Sequence, residues 1–386
     1  MYVLPGLLML IKESLSLVKG RRVGLITHPA AVLPDLTSSL DALLSAGVEL
    51  TTLFGPEHGF WGCEADAEVV EDTLDKRTDL HVYSLYGKNL APTADMLSEI
   101  DILIFDIQDI GVRFYTYIST LFHVLSAAGK TGKSVILLDR PNPITGKVGQ
   151  GPQMDADFCS FVGIIPIPIV HGLTIAEMAV YMNVESALGA DLMVVPMQNW
   201  KRDMWFDMTG LPWVTTSPGI PHFSTAVAYP CTCFFEGTNV SEGRGTPLPF
   251  EVIGAPWIDG YQLARYLNQK NIPGMKFRPV SFTPSDSKYK GERCHGVQVH
   301  ILERNAFQPV YTALHLLESF IVFSRGRFRF LETSWEGKQS HLDLLFGTST
   351  VRSQLEKGVS PGEISAQWVE TAENFDVARH KYLLYQ

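Results

Sequence analysis

Apolar runs rich in Val, Ile and Leu alternate with helical stretches through the first half of the chain. The predicted strands are Val23–Thr27, Glu49–Phe54, His81–Leu85, Asp101–Asp106, Ser134–Asp139 and Asp191–Pro196. The predicted helices are Ser38–Ala46, Ala94–Ile100, Phe114–Ala128 and Ile175–Ala187. Continuous apolar strands that are separated by helices are typical of a parallel sheet with both faces covered. The pattern therefore predicts an α/β fold, with a Rossmann-like parallel sheet and helices on both faces.

The pattern changes after about Lys201, where tryptophans, prolines and glycines lie in long irregular connections. Thr215–Glu251 is predicted to be extended and loop-rich, and a loop this long in a compact domain usually serves a function. The elements predicted beyond it are the helix Tyr261–Asn268, the strand Gly296–Leu302, the helix Val310–Phe323 and a charged, helical C-terminus. We therefore predict a Rossmann-like domain over residues 1–250, whose segment 201–250 borders a cleft, and a smaller α+β C-terminal domain over residues 251–386.

The first 13 residues are apolar enough to need comparison with a signal peptide. They lack a basic start, and Lys12 and Glu13 interrupt the apolar run. The apolar pattern continues through Leu15 and Val18, which favours an amphipathic helix packed on the fold. No later run reaches the roughly 18–20 apolar residues of a membrane span. For the sequence as given, we predict a cytoplasmic location and no membrane partner.

Composition excludes some classes of protein. The 386 residues carry a net charge of −10, and 46% of them are hydrophobic, as in a globular chain with a filled core. A nucleic-acid partner is not expected, because binding phosphates needs a cationic surface. The five cysteines form no spaced framework, and Cys231 and Cys233 would face the same side if they lay on a strand. We interpret the cysteines as reduced, structural thiols.

Two short motifs suggest nucleotide or nucleophile chemistry but lie in the wrong context. Ala128–Ser134 resembles a phosphate loop, but it runs from helix to strand and has Ala127 where the first glycine belongs. Gly358–Gly362 matches the GxSxG pattern, but Ser360 and Pro361 are typical of a helix start. Because no GxGxxG follows the first strand, a dinucleotide cofactor is not expected.

A metal site is not expected either. The chain has no HExxH, EF-hand or paired CxxC motif. His58, His171 and His222 lie in separate loops, and single histidines are more often hydrogen-bonded site or core residues than metal ligands.

Polar clusters follow four of the predicted strands. They are Thr27–Pro29, Gly55–Gly59, Asp106–Asp109 and Asp139–Pro143. Since parallel α/β sheets bind ligands at the carboxyl ends of their strands, we expect these loops to converge on one rim. Glu57 lies there between a proline and a histidine. It is either a solvated loop carboxylate or a carboxyl group held in a crevice, where it would protonate a glycosidic oxygen that otherwise leaves poorly.

The segment Phe105–Tyr117 is the densest polar and aromatic block in the chain. Asp106 and Gln108 follow a predicted strand, while Arg113 and Tyr115 open the next helix. Tyrosine rings stack on sugars, and Asp, Gln and Arg side chains hydrogen-bond sugar hydroxyls, so these four residues are candidate sugar contacts. The alternative for Arg113 is an ion pair with Asp109 at the (i, i+4) spacing.

Taken together, these blocks resemble the bacterial exo-β-N-acetylmuramidases of the NamZ family, glycoside hydrolase family 171. The blocks that carry the resemblance are Gly24–Thr27, Leu53–Gly59, Tyr83–Gly87, Phe105–Tyr117, Asp139–Pro143, His171–Gly172, Glu236–Thr246, Pro249–Glu251 and Lys381–Tyr385. They span nearly the whole chain in the same order, which makes the resemblance more specific than any single motif.

The resemblance implies release of N-acetylmuramic acid from the non-reducing end of peptidoglycan fragments, without a metal or organic cofactor. It implies that the site lies between a Rossmann-like domain and a smaller one, and that Glu57 is the catalytic glutamate. Relatives are often exported. The recurrent family positions that we expect in or behind the site are His58, Asp106, Arg113, Asp139, Arg140, Asn142, His171, Asn239, Glu242 and Arg244.

The chain departs from the family pattern at two places. Thr27–Ala31 reads Thr-His-Pro-Ala-Ala where the family usually has Thr-Asn-Pro-Ala-Gly. Ser217–Pro221 reads Ser-Pro-Gly-Ile-Pro where Ser-Pro-Asn is usual, so Gly219 lacks a side chain that could bind a ligand. Because a hydrogen bond to the ligand is lost with that side chain, the change at Gly219 bears on which substrate the protein prefers.

The expected sugar carries a lactyl carboxylate, which an acidic protein must receive with local cations. Arg113, Arg140 and Arg244 each lie in a site-like block and are candidates for a bidentate clamp. For Arg244, which lies between two glycines, the alternative is a salt bridge to Glu236 or Glu242.

The sequence leaves the partner of Glu57 open. A second carboxylate could be Asp106, Asp139 or Glu242, and the 2-acetamido group of the substrate could instead act as nucleophile. A muropeptide-binding or amino-sugar-binding protein without catalysis is the alternative function. A nucleotide-dependent enzyme is disfavoured by the missing phosphate loop. Oligomeric state is not predicted.

Overall fold

A seven-stranded sheet forms the larger part of the fold in the computed structural model, which describes residues 2–65, 68–147, 149–334 and 339–386. Its strands are β1 (Val23–Thr27), β2 (Leu50–Gly55), β3 (Thr73–Asp75), β4 (Leu80–Ser84), β5 (Ile102–Asp106), β6 (Ser134–Leu138) and β7 (Asp191–Val195). Their order across the sheet is β3-β4-β2-β1-β5-β6-β7. All neighbouring strands are parallel except the edge pair β3 and β4. The predicted parallel sheet is confirmed.

The two central strands, β1 and β5, are buried at every position. Successive side chains point to opposite faces of the sheet. Leu25 and Ile104 therefore pack into the apolar cluster on one face, while Ile26 and Phe105 pack into the cluster on the other. The register pairs Thr27 with Asp106, so the carboxyl ends of these strands lie side by side.

Helices cover both faces of this sheet. The helices in this part of the chain are α1 (Gly6–Met9), α2 (Ser39–Ser45), α3 (Tyr117–Thr131), α4 (Ile175–Glu185) and α5 (Phe223–Thr232), of which α1 to α4 pack on the sheet. Leu7 of α1 and Leu40 of α2 belong to one apolar cluster, and Leu121 of α3 and Met178 of α4 belong to the other. A capping box at Thr174 begins α4 and satisfies backbone N–H groups at the helix start.

A second, smaller sheet follows along the chain, as expected for the predicted α+β part. Its strands are β8 (Val252–Ala255), β9 (Met275–Phe282) and β10 (Cys294–Ile301), antiparallel in the order β8-β10-β9. The helices of this part are α6 (Gly260–Gln269), α7 (Pro309–Phe323), α8 (His341–Phe346), α9 (Thr350–Glu356), α10 (Pro361–Ala366) and α11 (Val369–Arg379). Ser360 caps α10 in a capping box, which confirms the helix start predicted there.

Two predicted elements are wrong. Residues Ala94–Ile100 form turns rather than a helix, because so short a segment gains few backbone hydrogen bonds for the conformational entropy it loses. The segment Thr215–Glu251 is less irregular than predicted, since it contains α5 and a 3₁₀ turn at Cys233–Gly237. Pro230 lies inside α5, where proline disfavours a helix. Every residue from Thr225 to Thr232 is buried, and this burial favours the helix despite the proline.

The N-terminal segment is helical, as predicted, but it does not form one continuous helix. After α1 the chain continues as a π-helical turn at Leu10–Ser14 and a 3₁₀ turn at Leu15–Leu17. Leu7, Leu10 and Val18 are buried against the sheet. None of the helices that the structure describes is both long and apolar enough to cross a membrane.

All five cysteines are free thiols, but only Cys231, Cys233 and Cys294 are buried as structural thiols would be, whereas Cys63 and Cys159 are exposed. Cys231 and Cys233 lie at the end of α5 and in the following turn rather than on a strand, and both are buried.

Candidate active site

A cleft opens beyond the carboxyl ends of the central strands and is closed on its far side by residues from the second half of the chain. The space between its walls amounts to about 560 Å³, part of which is open to solvent. Its lining residues are Glu57, His58, Tyr86, Phe114, Tyr115, Thr116, Val162, Ser217, Gly219, Ile220, Tyr229, Glu236, Arg244, Phe250 and Leu345.

Glu57 lies two residues after β2, where the chain turns back sharply. An ideal Cβ atom on Gly55 would lie 2.4 Å from the backbone nitrogen of Phe60, so only glycine allows this turn. The Glu57 side chain is 5% exposed, and its Oε2 accepts a hydrogen bond from the Thr116 hydroxyl at 2.5 Å. The alternative of a solvated loop carboxylate is therefore wrong.

His58 continues the same turn in a left-handed backbone conformation, with φ of 70°. Its Nδ1 lies 2.9 Å from the backbone oxygen of Glu64, which fixes the imidazole ring at the cleft wall. Residues 66 and 67 lie outside the described part of this loop.

Two tyrosines lie near Glu57: Tyr115 lines the cleft, and Tyr117 is buried behind it. The hydroxyl of Tyr115 donates to Thr216 Oγ1 at 2.8 Å, and that of Tyr117 donates to the Thr216 carbonyl at 2.5 Å. Their rings pack edge to face with centroids 4.8 Å apart. Burial raises the pKa of both phenols above the ordinary range, so they stay protonated and act as hydrogen-bonding groups.

The opposite wall carries a cluster of charged side chains. Arg244 donates from Nε and Nη2 to Glu236 Oε1, at 3.0 and 2.7 Å, and its Nε lies 3.8 Å from Glu242. Glu242 in turn accepts from Lys288 Nζ at 2.9 Å. Both salt bridges predicted as alternatives for Arg244 are therefore present, and Arg244 also lines the cleft.

Glu236 is ionised in this wall. Burial by itself would raise the pKa of its carboxyl, but the charge of Arg244 and a hydrogen bond from His341 outweigh burial and hold the pKa well below its usual range. Lys288 secures the same wall, because its ammonium group donates to three backbone carbonyls as well as to Glu242.

Asp106 and Arg140 form a buried ion pair behind the cleft rather than a wall of it. Asp106 is fully buried and Arg140 is 3% exposed. Nε and Nη2 of Arg140 donate to the two carboxylate oxygens at 2.5 and 2.8 Å, and Ser39 donates to the same carboxylate. Neither residue lines the cleft.

Arg113 is also buried away from the cleft, and its guanidinium donates to backbone carbonyls. The acceptors are the carbonyls of Pro152 at 3.0 Å, Ile167 at 2.6 Å and Leu345 at 2.9 Å. Among the hydrogen bonds and ion pairs of the described residues, Arg113 makes none with Asp109, so the predicted helical pair is wrong.

The other predicted site residues hold loops together behind the rim. Asp139 accepts from the hydroxyls of Thr174 and Tyr385 and from two backbone N–H groups. The remaining four also bond to backbone groups: Gln108 to Pro141, Asn142 to Leu173, His171 to Leu173 and Asn239 to Arg327 and Arg329.

Of the predicted residues, four line the cleft: Glu57, His58, Tyr115 and Arg244. Glu242 lies directly behind Arg244. Sequence reasoning missed Thr116, Glu236 and Phe250 as wall residues, although each lies inside a block that carries the family resemblance. It also missed Lys288, for which no motif gave a signal. Among the described residues, no group of three or more His, Cys, Asp or Glu side chains is arranged to hold a metal ion.

Comparison with family models gives two adjacent matches. Residues 23–224 match the model described as exo-beta-N-acetylmuramidase NamZ, N-terminal, and residues 227–385 match the corresponding C-terminal model. Together they cover nearly the whole chain, in the order in which the two sheets occur.

Individual relatives agree with these matches. The peptidoglycan beta-N-acetylmuramidase NamZ of Bacillus subtilis strain 168 is 45% identical over 369 residues, which are 95% of this chain and 88% of that protein. Two crystal structures of DUF1343 family proteins from Bacteroides fragilis NCTC 9343 cover 100% of this chain and 99% of their own. The first has a TM-score of 0.91 at 35% identity, and the second 0.81 at 31%.

Proposed function

Because the chain belongs to the exo-β-N-acetylmuramidase NamZ family of glycosidases, we propose that it releases N-acetylmuramic acid from the non-reducing end of peptidoglycan fragments. A fragment of the MurNAc–GlcNAc type is the expected substrate. The similarity to a relative that carries this activity in its name supports the proposal. So does the cleft, which combines a carboxyl group, tyrosines and a cation.

The observation that carries the mechanism is the position of Glu57. Its carboxyl group lies in the cleft, almost fully buried, and Thr116 orients one of its oxygens. An acid held in this way can deliver a proton to the departing glycosidic oxygen, whose leaving is otherwise slow. We assign Glu57 the role of this acid.

The second group is proposed by elimination among the three carboxylates predicted from the sequence, Asp106, Asp139 and Glu242, and Glu236, which lines the cleft. Both carboxylate oxygens of Asp106 accept hydrogen bonds from Arg140. Asp139 accepts four hydrogen bonds and lies behind the rim. Glu236 and Glu242 pair with Arg244 and Lys288, which lowers their nucleophilicity. This arrangement favours the 2-acetamido group of the substrate as the nucleophile, a known route among glycosidases.

The test is Glu57→Gln, which keeps the shape of the side chain and removes the proton. Turnover of a MurNAc–GlcNAc disaccharide, followed by chromatography of the released sugars, should fall roughly 10²- to 10⁴-fold with little change in KM. Glu71→Gln, an exposed carboxylate on the same loop, should leave turnover unchanged.

Normal turnover by Glu57→Gln would sink the assignment of the acid. A wild-type protein that binds the disaccharide tightly but releases no sugar would support the alternative of a non-catalytic muropeptide-binding protein. The anomeric configuration of the first product, read by NMR, distinguishes retention from inversion. Substrate assistance requires retention.

A further inference from the structure

A second open space lies at the same rim of the sheet, beside the cleft, and we call it the side groove. It adjoins the cleft across the turn Gly55–Gly59, whose two end residues line the groove while Glu57 and His58 line the cleft. The segment that follows β4 is shared in the same way, since Ser84 borders the groove and Tyr86 borders the cleft. The side groove amounts to about 800 Å³ including open solvent, which is more than the cleft.

Trp61 lines the side groove and is 48% exposed. Tryptophan is largely buried in most folded proteins, because its ring is the largest apolar surface among the side chains. Phe60 supports the ring on one side, edge to face, with the two ring centroids 5.3 Å apart. The rest of the indole is an open apolar surface, four residues along the chain from Glu57.

The main chain is held on both sides of Trp61. Gly62 has φ of 67°, a left-handed conformation that favours glycine, and its N–H group donates to the carbonyl of Gly59 at 3.1 Å. The N–H group of Glu64 donates to the carbonyl of His58 at 3.3 Å. A ligand that stacks on the indole therefore has little of this turn left to order, which reduces the entropic cost of binding.

The charges that line the side groove determine which sugar of the substrate suits it. Its charged residues are carboxylates, Glu64 and Asp72 among them, and none of the described residues that line it is Lys or Arg. A muramic-acid residue carries a lactyl carboxylate, which this negative lining repels. An N-acetylglucosamine residue is neutral, and its hydroxyl groups can donate to carboxylate oxygens. The side groove therefore suits N-acetylglucosamine.

We propose that Trp61 is the platform on which the N-acetylglucosamine residue of the substrate stacks while the muramic-acid residue occupies the cleft. The C–H face of the pyranose covers the indole, and apolar surface of both is removed from water. The bond between the two sugars then crosses the turn Gly55–Gly59, which carries Glu57. The inference rests on the proposed function for the identity of the substrate, and it adds a subsite outside the cleft.

The test is Trp61→Ala, assayed with the MurNAc–GlcNAc disaccharide. KM should rise about tenfold while kcat stays unchanged, because stacking stabilises the bound substrate and the transition state equally. Trp61→Tyr keeps an aromatic face, so its KM should stay within about threefold of the wild type. Tyr261→Ala is the matched control, since Tyr261 is 80% exposed and lines neither the cleft nor the side groove. Its KM should equal that of the wild type.

N-acetylmuramic acid alone shows which sugar Trp61 contacts. As an inhibitor it fills only the cleft, so its inhibition constant should be the same for Trp61→Ala and the wild type. An unchanged KM for Trp61→Ala overturns the inference. A fall in kcat, or weaker inhibition by N-acetylmuramic acid, overturns it as well, since Trp61 would then support the turn or the cleft rather than bind a sugar.

A wild-type protein that releases no sugar refutes the proposed function, and the platform is then tested by calorimetry. The disaccharide should bind the wild type more tightly than N-acetylmuramic acid does, and Trp61→Ala should remove this difference. Equal affinities of the wild type for the two ligands refute the platform. Normal turnover with an unchanged KM for Trp61→Ala refutes the platform alone and leaves the proposed function standing.

Discussion

The buried pair of Asp106 and Arg140 gives the sharpest prediction for stability. The carboxylate is fully buried and accepts two hydrogen bonds from Arg140, which is itself 3% exposed. Asp106→Asn keeps the size of the side chain but removes its charge and turns an N–H group toward the guanidinium. The cationic Arg140 is then buried without a counter-charge.

Removing one partner of such a pair costs about 3–5 kcal/mol, because the remaining charge has lost both water and its partner. The stability of a typical domain is only about 5–15 kcal/mol, so the midpoint of urea unfolding should shift strongly. Asp101→Asn is the control, since its pair with Arg22 is 42% and 38% exposed and solvent screens it. Its midpoint should move far less, since an exposed pair contributes at most about 1 kcal/mol.

An unfolding midpoint of Asp106→Asn equal to that of the wild type would refute the reasoning. It would mean that water or a rearranged Ser39 side chain compensates Arg140 in the variant. The double variant Asp106→Leu with Arg140→Met removes both charges, and it should recover part of the loss, because well-packed apolar residues often replace buried ion pairs at little cost.

Two further predictions concern groups that the proposed chemistry does not use. Burial raises the pKa of Asp109 to about 7, so the folded state keeps its proton up to that pH while the unfolded chain releases it near about 4. The unfolding free energy should therefore carry a contribution of up to about 4 kcal/mol that is lost as pH rises from about 4 to about 7. Asp109→Asn should remove it, and a wild-type-minus-variant difference in urea unfolding that does not change with pH would contradict this. Ser360→Ala should cost about 1 kcal/mol through loss of the helix cap, with turnover unchanged; a loss of turnover would instead indicate a nucleophile.

Much of the fold could be predicted from the sequence because the central strands are buried on both faces. Strands such as Ile102–Asp106 have no face exposed to solvent. Their residues are therefore apolar almost without interruption, and the strand can be recognised directly in the sequence. The division into domains at residue 250 stays a prediction, while the small sheet begins at Val252.

Elements that depend on distant contacts could not be predicted in the same way. Helix α5 contains Pro230 and was predicted to be loop, but its residues are buried between the two parts of the fold, and that burial outweighs the local preference. The turns at Ala94–Ile100 show the reverse case, where a helical pattern is too short to form a helix.

For the candidate site, the sequence by itself determined that Glu57 follows a buried strand, and parallel sheets bind ligands at that end. Only the tertiary structure decided which of three similar arginines faces the cleft. The guanidinium of Arg113 donates to backbone carbonyls, and that of Arg140 donates to Asp106. Arg244 instead lies on the wall of the cleft, beside Gly219. The physical reason is that a buried guanidinium binds whichever acceptors the fold brings to it, and those acceptors are up to 232 residues away in sequence.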